Sequence, residues 1–271
     1  MNNELIDVLN LDDELSNRLT RLFEECEDRI KILAQRCKTN GFSVLIKEND
    51  LMRLAVCTEY LKFTYDFYKG KGISDDIFKH TIGDIKIWCE NNDNKGLKNY
   101  DWIKNHLNGE LFRLGRLQFQ ICRNFMNPTL NYKKLPINFS DNVVYVHIPQ
   151  GEKLLLDDCR NSLKLAVNVF DKYFADFEYR YFFCESWLLY QDNIKYMKED
   201  SNIIKFASLF DIAYSVKEDS QAIERIFGKR RLIKSAYPEN TALQKQAKQF
   251  MLSGGRMGVG IATISKKSLV R

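Results

Sequence analysis

Glu185 and Ser186 stand side by side in Cys184-Glu185-Ser186-Trp187. The carboxylate could take a proton from an amine and the hydroxyl could give one to a leaving group, the two jobs that acyl transfer requires. Tyr190, four residues beyond Ser186, is a second candidate acid. The competing reading points Cys184 and Ser186 to one face as packing residues and leaves Glu185 in solvent. No G-x-S-x-G elbow surrounds Ser186 and no acid–histidine partner accompanies it, so a hydrolase triad is not supported. The second candidate stretch is Gln150-Gly151-Glu152-Lys153. There Gly151 lets the backbone approach a pyrophosphate and Lys153 adds a positive charge, while Glu152, Asp157 and Asp158 fit an ordinary strand-to-helix turn with acids in the first helical turn. His147 reads by default as a core histidine.

Both stretches fall where an α/β sheet presents ligand sites. Val143–Ile148 is a β-branched run closed by Pro149, which predicts a buried strand ending in a loop. Cys159, Leu163, Ala166, Val167, Phe170 and Phe174 share one face of a helix from about Leu156. Tyr179–Cys184 predicts the next strand, and strand, helix, strand is the βαβ unit of a parallel pair. Ligands bind beyond the carboxyl ends of such strands, which puts Gln150 and Glu185 on one rim. The glycines between Gly254 and Gly260 lack a strand-then-helix context. They predict a helix cap followed by a strand that crosses close to another segment.

Upstream the period is helical. Leu15, Leu19, Leu22, Phe23, Cys26, Ile30 and Leu33 line one face, a second helix spans about Asp50 to Tyr68, a third starts at the capping Ser74 and runs to Cys89, and a fourth covers Trp102–Leu107. Residues 111–121 read as a strand, and 127–138 as a loop. The division is therefore a helical domain over 1–109 and an α/β domain with a mixed sheet over 110–271. Downstream, 192–199 reads as helix, 203–214 as either helix or strand, 241–252 as helix and 256–264 as a final strand.

Among the 271 residues the longest apolar runs are a few residues, against the roughly 20 a bilayer helix needs. No membrane partner is expected, and the start of the sequence carries no secretion signal, which points to the cytoplasm. Seven cysteines without a C-x-x-C pair read as reduced thiols, and three histidines without ligand spacing predict no metal. Residues 225–271 carry eleven bases against the single acid Glu239. Nucleic acid, an anionic cofactor or an acidic partner would each suit that charge. No helix-turn-helix or zinc-finger pattern favours nucleic acid.

Together, Phe112-Arg113-Leu114-Gly115-Arg116-Leu117-Gln118-Phe119, His147-Ile148-Pro149-Gln150-Gly151, Cys184-Glu185-Ser186-Trp187-Leu188-Leu189, Asp200-Ser201-Asn202-Ile203 and Thr241-Ala242-Leu243-Gln244 resemble the blocks of a bacterial family of acyltransferase-domain proteins. In that family an N-terminal helical N-acyltransferase domain precedes a GNAT-like C-terminal domain. The resemblance implies an acyl-CoA-dependent N-acyltransferase passing an acyl group, such as acetyl, from CoA to the amine of a small molecule or peptide. It also implies that the strands ending at His147-Ile148 and at Cys184 flank the thioester, that Gln150, Gly151 and Lys153 meet the pyrophosphate, and that a strand N–H holds the oxyanion. Glu185 would be the base, with Ser186 or Tyr190 as the acid. The alternative keeps the fold as an inactive ligand-sensing or protein-binding module. The loop after Gln150 lacks the second glycine of the superfamily's Q/R-x-x-G-x-G/A pattern.

Overall fold

A computed structural model describes residues 2–270, and the chain divides at Leu114/Gly115 into two compact units. The first is helical: α1 (Asn2–Leu9), α2 (Asp13–Asn40), α3 (Asp50–Lys71), α4 (Asp75–Ile82), α5 (Asp84–Glu90) and α6 (Tyr100–Leu107), with β1 (Leu111–Leu114) at its end. The Asp12 side chain accepts from Leu15 N at 3.0 Å and starts α2. Its predicted apolar face is buried at Leu15, Leu19, Phe23, Ile30 and Leu33. The helix runs on to Asn40, where Gly41 at φ 79° stops it. Ser74 caps α4 as expected, accepting from Ile77 N. The single helix read from Ser74 to Cys89 is in fact two, separated at Gly83.

That break places Asp84 at the start of α5, 3 % exposed. Its Oδ2 accepts from the indole N–H groups of Trp88 (3.0 Å) and Trp102 (3.3 Å) and lies 3.2 Å from His106 Nε2. Burial pushes the Asp84 carboxyl up, but the His106 bond, its charge and the two indoles outweigh it and hold the carboxyl below its ordinary value. A depressed carboxyl contributes stability above its unfolded-state pKa, and that stability is lost as pH falls through the folded value. The D84A variant is expected to lose about 3–5 kcal/mol, because the donors around the carboxylate are left buried and unanswered. In D84N the acid limb of the stability curve should flatten, as read by urea denaturation across pH.

The second unit carries β2 (Leu117–Cys122), β3 (Val143–His147), α7 (Leu156–Tyr173), β4 (Tyr181–Ser186), α8 (Asn202–Ala207), β5 (Asp211–Val216), α9 (Ser220–Phe227), α10 (Ala242–Leu252), β6 (Val259–Ser265) and α11 (Lys266–Leu269). Its strands lie in the order β2-β3-β4-β6-β5; β3 and β4 are parallel and the other neighbours antiparallel. The fold class is α/β with a mixed sheet, as expected. The run 111–121, read as one strand, breaks into β1 and β2 at Gly115, whose φ of 71° only glycine adopts without strain. Asn202–Ala207 and Asp211–Val216 resolve the ambiguous 203–214 stretch into a helix and then a strand, and 192–199 holds a short 3-10 turn over Gln191–Lys195.

The sheet is covered on both faces. On one, Phe170 of α7 meets Phe119 of β2, which in turn meets Phe182 of β4. On the other, the predicted loop 127–138 forms the cover: Leu130, Tyr132, Leu135 and Ile137 pack with Phe125 against Val143, Phe183 and Ile261. Apolar residues on a segment whose only regular element among the described residues is the 3-10 turn Tyr132–Lys134 hid that role from the sequence.

Candidate active site

The parallel ladder between β3 and β4 is short. Among the described residues it pairs only Val144 with Phe182 and Tyr145 with Phe183. Each strand continues on its outer side, β3 against β2 as far as His147↔Gln118 and β4 against β6 as far as Ser186↔Gly260. The two central strands thus part company at their carboxyl ends. Because N–H groups along a strand alternate sides, one of Val146 and His147 directs its amide toward the side where β4 no longer pairs.

The loop between β3 and α7 is shaped by Arg116, which is 6 % exposed. Its Nη1 donates to Pro149 O (3.0 Å), Nη2 to Glu152 O (2.9 Å) and Nε to Lys153 O (3.0 Å). In a planar trans peptide the N–H points opposite to the carbonyl. The clamp therefore turns the amides of Gln150, Lys153 and Leu154 away from the guanidinium. Gly151 sits between them at φ 102° with open space where a Cβ would lie. Gln150, Gly151 and Lys153 are all exposed, and α7 follows with no side-chain cap at Leu155 among the described residues. Amides turned one way beside a helix start form an anion-binding concavity. One arginine thus fixes the shape of a loop that lacks the second glycine. Only its occurrence in an apolar hairpin segment could have signalled it.

His147 ends β3 and Glu185 is the last residue but one of β4, on one sheet face and two residues beyond Tyr145 and Phe183, whose ring centroids are 5.0 Å apart. His147 stacks on Tyr145 (4.5 Å, 5°), and its Nε2 is 3.0 Å from Gln120 Oε1. Glu185 is half-buried, and burial followed by the Glu218 carboxylate pushes its carboxyl up. Tyr145 is half-buried, and burial, followed by Cys184 and Glu185, pushes its phenol up. Tyr145 and Gln120 were not among the sequence candidates. Ile148 follows β3 and is half-buried.

Ser186 and Tyr190 are placed differently. Alternation sets Ser186 on the face opposite Glu185, where it is buried and its Oγ accepts from Leu188 N at 3.2 Å to start the turn Trp187–Leu189. Trp187 N donates to Gln221 Oε1. Tyr190 is buried, and burial and then Asp192 push its hydroxyl up. Its ring covers Gly258.

Gly258, just before β6, and Gly260 within it make that packing possible. A Cβ on Gly258 would sit 2.3 Å from Val216 O and 2.4 Å from the Tyr190 ring, and one on Gly260 would sit 2.0 Å from Leu189 O. This is the close crossing expected of the glycine run. Since backbone cannot yield as a side chain can, G260A should cost about 3 kcal/mol in urea denaturation.

Two family models match the sequence: one described as the GNAT-like C-terminal domain over residues 111–264, the other as the N-acyltransferase N-terminal domain over residues 2–109. No curated protein matches. Among solved structures, the chain is similar to an acyltransferase in complex with decanoyl-CoA and teicoplanin, at 19 % identity and a TM-score of 0.73, covering 97 % of this chain and 86 % of that one. A structure with CoA and 10C-teicoplanin gives the same identity, TM-score and coverage. A third, with decanoyl-CoA, gives 20 % identity and a TM-score of 0.67 over 78 % of this chain and 65 % of that one. At such identities the likeness is one of fold. The chain belongs to the family of the GNAT-like C-terminal domain, with an N-acyltransferase N-terminal domain ahead of it.

Proposed function

We propose that this protein is an acyl-CoA-dependent N-acyltransferase. The carrying observation is the early end of the β3–β4 ladder beside a loop whose amides Arg116 turns outward. The acyl-CoA thioester supplies an activated carbonyl and a thiolate leaving group. The loop amides of Gln150, Lys153 and Leu154, with the Lys153 ammonium, hold the pyrophosphate; His147 and Ile148 flank the thioester. Glu185 takes the proton as the acceptor nitrogen bonds to the carbonyl carbon, and a β3 N–H holds the oxyanion until the C–S bond breaks. Tyr145 shares a sheet face with Glu185 on the neighbouring strand, whereas Ser186 lies on the opposite face, so we assign proton return to the thiolate to Tyr145 ahead of Ser186 or Tyr190.

The acceptor is the amine of a small molecule or peptide. The family ranges support a functional boundary at Gly109/Glu110. Among the described residues no helix is long and apolar enough to cross a membrane, and a cytoplasmic enzyme with reduced cysteines fits this chemistry. The test is thermal stability with CoA and with acyl-CoAs of increasing chain length. Stabilisation of about 2.7 kcal/mol is expected at a hundred times the dissociation constant. CoA release with an amine panel then reads turnover. No stabilisation by any acyl-CoA would remove the proposal.

A further inference from the structure

Between α9 and α10, every residue of 228–236 is exposed. The stretch reads Gly228-Lys229-Arg230-Arg231-Leu232-Ile233-Lys234-Ser235-Ala236. Leu232 is 106 % exposed and Ile233 66 %, two adjacent aliphatic side chains held out into water. Lys234 of the same stretch donates Nζ to Met251 O at 2.9 Å, next to Leu252, which is 48 % exposed.

The stretch is nonetheless fastened at its base. Phe227 and Tyr237, both buried, meet at 4.5 Å on either side of it, and Arg231 N donates to the Tyr237 hydroxyl at 3.1 Å. Gln244 of α10 donates to Ile226 O at 2.9 Å, which ties the two flanking helices together. The protein thus spends structure on presenting Leu232 and Ile233 outward. In water that arrangement gains nothing.

The surroundings say what would gain from it. Arg230 is paired with Asp219 and Lys248 with Glu239, but the cations outnumber the acids throughout 225–271, eleven to one. Lys229 and Arg231, within three and one residues of Leu232, are exposed beside the aliphatic tip. A surface that is negatively charged and apolar just beneath satisfies both features, and a bilayer containing anionic phospholipid has that layered chemistry. Duplex nucleic acid satisfies the cations only. The two aromatic rings that could stack on bases, Phe227 and Tyr237, are turned inward.

We propose that the 228–236 loop is an interfacial anchor that seats the second unit on anionic phospholipid through Leu232 and Ile233 inserted beside Lys229 and Arg231. Such an anchor is peripheral, and among the described residues no helix is long and apolar enough to cross a membrane. The anchor is connected to the proposed active site through α9, whose Gln221 holds the backbone just after β4.

Vesicle flotation tests it with the full chain. Binding is expected to vesicles of phosphatidylcholine with phosphatidylglycerol and not to phosphatidylcholine alone. Neutralising two cations in K229Q/R231Q should weaken binding about 25-fold, near fivefold for each. L232S/I233S should weaken it about tenfold or more. Both substitutions are on exposed side chains, and circular dichroism checks that the fold persists. Absence of wild-type binding to the anionic vesicles overturns the proposal. So does L232S/I233S binding vesicles as tightly as the wild type. Salt-sensitive binding to duplex DNA that exceeds binding to anionic vesicles would assign the cations to nucleic acid instead.

Discussion

Replacing Glu185 by glutamine is expected to lower kcat by about 10²–10⁴ while leaving CoA binding close to that of the wild type. Glutamine has the same shape, so the pocket wall survives and only the proton acceptor is lost. Because burial and Glu218 raise the Glu185 carboxyl, wild-type activity should climb as pH rises through that elevated value and then level off. The stability effect has the opposite sense. A carboxyl raised in the folded state favours folding at low pH and disfavours it once ionised, so E185Q should be the more stable protein at neutral pH. Single-turnover CoA release against pH, with thermal denaturation alongside, reads both. Unchanged kcat would show that Glu185 is not the base, and Y145F, S186A and Y190F, measured in the same assay, would separate the three hydroxyls.

The R116A variant should lose about 3 kcal/mol of stability, since three carbonyl contacts to a buried guanidinium disappear together. It should also bind CoA about a hundredfold more weakly, the cost of re-ordering roughly two backbone residues on each binding event. R116K is the sharper probe. A lysine keeps the charge but lacks the planar fork that reaches three carbonyls at once. Calorimetric titration with CoA should therefore find R116K nearer to R116A than to the wild type. Wild-type affinity in R116K would mean that positive charge, and not the shape of the loop, is what matters there.

How much of this was legible beforehand depended on the range of the interactions. The α2 face, the cap at Ser74, β3, α7 and β4 all follow from neighbours within one or two turns, where periodicity and capping act. The glycine crossing of β6 was also readable, because consecutive small residues in a β-branched run imply a close neighbour even when its identity is unknown. The Arg116 clamp joins residues more than 30 positions apart, and beyond its apolar hairpin setting nothing local distinguishes that arginine from a surface one. Similarly, Ser186 next to Glu185 suggested a shared site, yet strand alternation sends them to opposite faces. Tyr145 carries no local mark of a site, since its place beside Phe183, on the face that Glu185 shares, depends on the parallel pairing of two strands.

The strand order has a consequence for how the polypeptide is made. β6 emerges from the ribosome after every other strand, yet it is the one inserted between β4 and β5. Until Val259–Ser265 is synthesised, both of those strands wait with open hydrogen-bonding edges and the cleft has no fixed wall. Nascent chains stalled before that point would be natural clients for chaperones, and catalytic competence would arrive in one step with the closing segment rather than accumulating during translation.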